Sequence, residues 1–505
     1  MKKKNLHNYE KTVSSEPGLL ISFSPYALWS PHFETELEII QLHLDDGGRA
    51  LILSCNGDLK TCDPNPEHDL LICAMCKSRF RSGMRWLHGG GVSHQSFYSL
   101  TCEQEATLEV LGEHTWRDMN ELRSFEVDGA DVGMAAISSA VSYIREPELD
   151  SVVFKKLFSK NIITAALVYY SIKNILAEKM PDSLLLFNGR FSSLRPALRA
   201  AQKLGIKSYV HERAGSVDRF SLTENTYPHD LDAIKLEIET IYNNSQLSEY
   251  EKKRLSDEWY IERRKGVVQS WHSFTTDQIQ NLLPSAFKSN VTNVVIFNSS
   301  EDEFVAIDGW DNPFYINQNK AIEQLMEDVS AEKQICIFLR VHPNLKGLRN
   351  SQTEGIKLLS DRYSSLHVIP ADSPVDSYAL IDAADVVVTY GSTVGIEAAH
   401  ASKLSILMGR ASYEDLGVCL RPNAHQEFVS LLLNIARGAK YQLPTGSEIG
   451  LIKYGLFNKL LGRQFHYVKP TGLFTVKLYK NNVYSTILSN RLTRLLYKLI
   501  RQIKK

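Results

Sequence analysis

Val386-Val-Val-Thr389-Tyr-Gly-Ser-Thr-Val-Gly-Ile-Glu-Ala398 reads as a short buried strand that turns directly into a helix. Four apolar or β-branched residues in a row suit a strand covered on both faces. Gly391 and Gly395 permit tight turns and close backbone approach, and Ser392 and Thr393 offer helix caps and hydroxyl donors. Outward from this stretch the pattern repeats. Leu404–Leu407, Leu366–Ile369, Ile335–Leu339 and Val294–Phe297 are strands, with helices over Ala321–Val329, Ser377–Ala383 and Thr393–Ala401 between them. Strand alternating with helix predicts a parallel, doubly wound sheet over 291–450.

The N-terminal half carries the same alternation. Leu19–Ser24, Ala50–Ser54, Ser183–Phe187 and Ser208–Val210 read as strands, and Phe33–Leu44, Ile162–Lys179 and Arg195–Leu204 as helices. A chain of 505 residues exceeds one ordinary core, so two domains are expected. The expected division is an N-terminal α/β domain over 1–290, a second α/β domain over 291–450, and a basic tail over 451–505. The first domain includes a cysteine-containing loop (55–76) and a charged helical insertion (230–266). No sequence repeat relates the two halves. The expected fold class is α/β, two doubly wound parallel-sheet domains facing a cleft. This GT-B arrangement is shared by several enzyme classes, so it leaves function open.

The net charge of −1 excludes a general attraction for nucleic acid. The basic start, Met1–Lys4, is followed by polar residues, so a secretory signal is not expected. No window carries the roughly 18 apolar residues a membrane span needs. Seven cysteines in a chain without an export signal read as reduced thiols in the cytoplasm. Cys55, Cys62, Cys73 and Cys76 are spaced to suit a structural zinc, with Cys73 and Cys76 in chelating register, or else stand as plain thiols. No other cofactor is required.

Leu339-Arg-Val-His-Pro-Asn344 follows a strand, so Arg340 and His342 are placed to meet a phosphate. Glu397, one turn into its helix, is placed to accept hydrogen bonds from ribose hydroxyls. On the N-terminal side, Phe187-Asn-Gly-Arg190 and Val210-His-Glu-Arg-Ala-Gly215 also follow strands. Glu212, His211 and His32 are the candidate bases for an acceptor hydroxyl, and Asn188, Arg190 and Arg213 the candidate acceptor contacts. Structural ion pairs would use the same residue types.

Arg340-Val-His342-Pro343 followed by Tyr390–Ala398 resembles the C-terminal nucleotide-binding half of bacterial capsule and lipopolysaccharide glycosyltransferases. These include the capsule-type Kdo transferases and, more distantly, bacterial sialyltransferases. Phe297-Asn-Ser-Ser-Glu-Asp-Glu-Phe304 and the four cysteines look like further elements of that group. The resemblance implies a nucleotide-sugar donor held by His342, Ser392, Thr393 and Glu397; Arg340, Gly395, Ser299 and Ser300 are further candidate donor contacts from their places near these strand ends. It implies a lipid-linked or polysaccharide acceptor. Two other readings share the architecture: a glycerol- or ribitol-phosphate transferase, and a non-catalytic membrane-associated assembly protein. Arg263-Arg-Lys265 could reach a phosphate or form a solvated face.

No acidic residue follows Glu448. Leu492, Leu495, Leu496, Leu499, Ile500 and Ile503 make one helical stripe, flanked by Arg491, Arg494, Lys498, Arg501, Lys504 and Lys505. Such a helix suits an anionic membrane surface and predicts a peripheral position on the inner face.

Overall fold

The computed structural model describes residues 18–275, 277–481 and 483–487, with Leu495 and Leu499 beyond them. The chain forms two compact units, one of residues up to 143, 150–228 and from 461, the other of 144–149 and 229–460.

The first unit is built on β1 (Leu19–Ser24), β2 (Arg49–Ser54), β3 (Val92–Ser96), β4 (Ser183–Phe187), β5 (Lys207–Arg213) and β6 (Arg219–Glu224). β1 and β4 are sheathed on both faces, which their apolar runs require. β3 reads Val-Ser-His-Gln-Ser and is largely exposed, so it carries no apolar signal as a strand. Helices His32–Asp45, Leu70–Trp86, Val132–Ile144, Lys155–Lys179 and Arg195–Leu204 cover the sheet.

The second unit has β7 (Thr292–Phe297), β8 (Ile335–Arg340), β9 (Leu366–Ile369), β10 (Val386–Thr389) and β11 (Leu404–Leu407), all parallel, in the order β11-β10-β7-β8-β9. Its helical insertion corrects the expected boundary at 290. Helices Leu231–Asn244 and Glu249–Arg264 belong to this unit and pack on helix Ser447–Leu460. Ser256 Oγ and Tyr260 Oη both donate to the Leu451 carbonyl at 3.0 Å, and Lys459 Nζ lies 2.8 Å from Glu262. Trp259 and Tyr260 are the buried residues that anchor the insertion there.

After Leu460 the chain returns to the first unit, which corrects the expected tail. β12 (Arg463–Gln464) adds antiparallel to β6. The first sheet is thus ordered β12-β6-β5-β4-β1-β2-β3, parallel except at β5–β6 and β6–β12. A small antiparallel sheet follows, of β13 (Val468–Gly472), β14 (Thr475–Lys480) and β15 (Val483–Ser485). Buried Glu38, on helix His32–Asp45, accepts the backbone N–H groups of His466, Tyr467 and Val468 at 2.6–2.8 Å. Of the expected amphipathic helix only Leu495 and Leu499 are described, both exposed. The rest of that expectation lies outside the described residues. No helix among the described residues is long and apolar enough to cross a membrane.

The fold class is therefore α/β and GT-B-like, two doubly wound units that share one strand order, β3-β2-β1-β4-β5 matching β9-β8-β7-β10-β11. In each, the order reverses beside the first strand. Ligands of such sheets sit outside the carboxyl ends of the strands at that reversal.

Candidate active site

In the first unit the reversal lies between β1 and β4. The loop after β1 ends at His32, which opens its helix, while Phe187 ends β4 and Asn188 opens the loop after it. The His32 ring stacks on Phe187 at 3.9 Å between centroids. Its Nδ1 lies 3.8 Å from Glu212, whose other oxygen accepts from Asn188 Nδ2 at 2.9 Å. Asn188 adopts φ +55°, the left-handed conformation that Asn tolerates, and this turn carries its side chain to Glu212. Burial first, then the neighbouring His211 and Arg213, holds the His32 imidazole well below its usual range. It is therefore neutral at pH 7, and the same burial makes it a weaker base than a free imidazole.

The three candidate bases therefore converge but differ in access. His32 and Glu212 keep 15% and 19% of their side chains exposed. His211 is fully buried, with Nε2 3.3 Å from buried Glu36, so it supports the site from within. Arg213 donates to the Leu473 carbonyl at 2.7 Å and lies over the Phe474 ring, which ties it to the returning C-terminal segment. Arg190 lies over Phe191 and faces the Asp63 carboxylate, which accepts from Ser139 and Ser193 at 2.9 and 2.6 Å. Sequence reasoning missed Asp63 as part of this cluster, because nothing local joins it to residues 130 positions away. On the other side of β1, a cavity of about 170 Å³ opens at the ends of β1, β2 and β3, lined in part by Ser24, Ser54, Lys77, Arg81 and Ser96.

Cys55 and Cys76 also line this cavity. All four candidate zinc ligands are free thiols. Gly57 N–H donates to Cys55 Sγ, Asn65 Nδ2 to Cys73 Sγ and Ala27 N–H to Cys76 Sγ, each at 3.2 Å. Burial pushes the Cys76 thiol up to about 12. Among the described residues no three His, Cys, Asp or Glu side chains stand together as a metal site. Cys62 lies within electrostatic reach of Cys55 and Cys76, and Cys76 of Cys55 and Cys73.

In the second unit the reversal lies between β7 and β10. A Cβ on Gly391 would stand 3.7 Å from Ser299 Oγ, so the loops after these strands touch. The His342 backbone N–H donates to Asn298 Oδ1 at 2.8 Å, which ties in the loop after β8. His342 Nδ1 accepts from Asn344 N–H at 3.2 Å. That bond sets the neutral tautomer with the proton on Nε2. Burial lowers the His342 pKa to about 4, against the pull of nearby Asp302. Asn298 Nδ2 and Ser299 Oγ are buried without a partner. Ser300 is taken by Asp302.

Several expected donor contacts are engaged elsewhere. Arg340, placed by sequence at a phosphate, donates instead to the carbonyls of Pro370 at 2.6 Å and Ser373 at 3.2 Å. It is buried and fixes the loop after β9. Glu397 accepts from Arg263 Nη2 at 2.8 Å, from Thr393 Oγ1 at 3.2 Å and from Tyr378 Oη. Arg263, from the insertion, thus pairs with a carboxylate while a third of its side chain stays exposed. Thr393 makes no capping bond, while Ser392 Oγ accepts from Val394 N–H at 3.3 Å. Gly395 is required by packing: a Cβ there would lie 2.3 Å from Tyr413 Oη.

Three solved structures are similar at low levels. The β-Kdo 2,4-transferase KpsC of Thermosulfurimonas dismutans is 12% identical, with a TM-score of 0.34, over 54% of this chain and 79% of that one. The β-Kdo 2,7-transferase of the same protein is 13% identical, with a TM-score of 0.32, over 66% and 89%. The UDP-GlcNAc 2-epimerase of Methanocaldococcus jannaschii, in complex with UDP-GlcNAc and UDP, is 11% identical, with a TM-score of 0.26, over 86% and 97%. No curated protein sequence matches the chain. Residues 200–430, which include Glu212, His342 and Glu397, match the family model described as capsule polysaccharide biosynthesis protein.

Proposed function

We propose that this chain is a glycosyltransferase that moves a sugar from a nucleotide-activated donor onto a growing capsule or lipopolysaccharide chain. The family-model match over 200–430 supports the setting. The observation that carries the chemistry is the set of unspent donors at the β7–β10 reversal. Asn298 Nδ2 and Ser299 Oγ are buried and unpartnered, and His342 presents a protonated Nε2 beside them. A buried donor without a partner costs about 1–3 kcal/mol, and an anionic ligand rich in acceptors recovers it. Donor phosphates and ribose are such a ligand.

On this reading the β7–β10 reversal of the second unit takes the donor, and the β1–β4 reversal of the first unit, where His32 and Glu212 stand, takes the acceptor. His32, stacked on Phe187 with its Nδ1 3.8 Å from Glu212, takes the proton of the acceptor hydroxyl. The acceptor oxygen bonds to the anomeric carbon as the bond from that carbon to the phosphate oxygen breaks. The electron pair leaves with the nucleotide, whose growing charge meets the His342 N–H and Ser299 O–H. The apolar stripe from Leu492 to Ile503, with its flanking arginines and lysines, holds the enzyme at an anionic membrane face, near a lipid-linked acceptor.

The test is turnover of a donor panel (CMP-, UDP-, GDP- and dTDP-sugars, with CDP-glycerol and CDP-ribitol) on a membrane acceptor fraction. Sugar transfer from one donor is expected. Transfer of the polyol phosphate instead would replace this reading with the polyol-phosphate one.

A further inference from the structure

Donor phosphates carry charge, and the expected cations do not supply it. Arg340 has both terminal nitrogens on carbonyls and keeps only its buried Nε unpartnered, Arg263 is paired with Glu397, and His342 is neutral. Arg410, in the loop after edge strand β11, shares its Nε between both oxygens of Glu414.

Residues 144–149 bring another cation. This short segment joins two helices of the first unit, yet it packs in the second. Asn350 Nδ2 donates to the Arg145 carbonyl at 2.7 Å, and Glu146 accepts from Ser351 N–H at 2.8 Å at the start of helix Ser351–Arg362. Glu148 accepts from Asn317. In a segment held at residues 145, 146 and 148, Arg145 keeps φ +63°, a conformation an arginine rarely adopts. Its Nε pairs with buried Asp302 in the loop after β7. Its Nη2 reaches the Asn344 carbonyl, in the loop after β8, only at 3.5 Å. The guanidinium is thus anchored at its base with its fork open, and 36% of the side chain is exposed.

We propose that Arg145 is the phosphate-gripping cation of the donor site, its fork closing on the phosphate oxygens of a nucleoside diphosphate or monophosphate beside His342. A planar fork matches two phosphate oxygens at once, and an anchored Nε reduces the ordering cost of that grip. This rests on the donor-site reading above.

The test is calorimetric titration of the full chain with CMP, CDP, UDP and GDP, and with the matching nucleosides. Wild type is compared with Arg145→Gln, Arg145→Lys, the Arg145→Gln/Asp302→Asn double variant and Arg410→Gln. Arg145→Gln is expected to weaken the bound nucleotide by a factor of ten or more while leaving its nucleoside unchanged. Arg145→Lys, which keeps the charge and loses the fork, is expected to fall between. The double variant leaves no buried carboxylate unpaired, so the same loss there shows that misfolding is not the cause. Nucleotide binding by the double variant at wild-type strength, or a loss confined to Arg410→Gln, overturns the assignment and leaves the donor site standing. Absence of nucleotide binding to wild type overturns the donor-site reading and this inference with it.

Discussion

Arg263 Nη2 lies 2.8 Å from Glu397 Oε1, and Tyr378 Oη donates to the other oxygen of the same carboxylate. Arg263 comes from the insertion and Glu397 from the helix after β10, so this pair fastens the insertion to the donor-side sheet. Glu397 is 5% exposed and Arg263 35%. Removing the guanidinium leaves a buried carboxylate with only neutral partners. Arg263→Ala is therefore expected to lower stability by about 2–3 kcal/mol, below the full cost of a broken buried pair because the arginine is partly solvated. Arg263→Ala/Glu397→Ala is expected to recover part of it. Urea denaturation of the three variants measures both.

Gly395 separates a packing role from a ligand role. Its Cβ would meet Tyr413 Oη at 2.3 Å and Thr389 Oγ1 at 2.8 Å. Gly395→Ala is expected to cost about 1–3 kcal/mol from overpacking. Tyr413→Phe removes the nearer atom and should return part of that loss in the double variant. If the glycine served only to let a ligand approach, Tyr413→Phe would leave the Gly395→Ala defect unchanged. Thermal unfolding decides between them.

His342 gives an acid limb to stability. Its pKa in the folded chain is about 4, against the ordinary value of 6.5. As pH falls from 6.5 toward 4, the unfolded chain takes up a proton that the folded chain refuses. Stability present above pH 6.5 is therefore lost on acidification, by about 3 kcal/mol at pH 4 from this residue. His342→Asn should lose less than wild type between pH 7 and pH 4.5 in denaturant titrations. His32, also depressed, acts in the same direction in both proteins and cancels in the comparison.

Glu38 holds the returning chain. Its carboxylate accepts three consecutive N–H groups, from His466, Tyr467 and Val468. Glu38→Ala leaves those donors without their acceptor, at an expected cost of about 2–4 kcal/mol. Limited proteolysis should then cut between 461 and 487 faster than in wild type.

The two candidate bases should separate kinetically. His32→Ala is expected to lower kcat by roughly a hundredfold to ten-thousandfold. Glu212→Gln, which keeps shape and the Asn188 contact but loses the charge, should fall by less. Equal activity of His32→Ala and wild type in single-turnover transfer would remove His32 from the chemistry.

The strands of the second unit were legible because buried parallel strands read as unbroken apolar runs, as Val386–Thr389 and Val294–Phe297 do. β3 was not, since its Ser, His and Gln face outward at a sheet edge. Helix Leu70–Trp86 escaped notice for a similar reason: only Ile72, Arg79, Phe80, Gly83 and Trp86 are buried along it. The place of His342 and Ser299 followed from their being at strand ends. The turning of Arg340 toward Pro370 and Ser373 did not, because a guanidinium at a strand end fits carbonyls as well as phosphate. Arg145 was beyond sequence reach, since its role depends on a six-residue segment packing against a unit whose other residues begin at 229.

Calorimetric titration of CMP, CDP, UDP and GDP into wild type and His342→Ala tests the donor site most directly. One nucleotide should bind selectively and lose a factor of about ten or more in affinity in the variant, roughly 1.4 kcal/mol. Binding by none of the four, or equal binding to both proteins, would contradict the assignment of the β7–β10 reversal as the donor site.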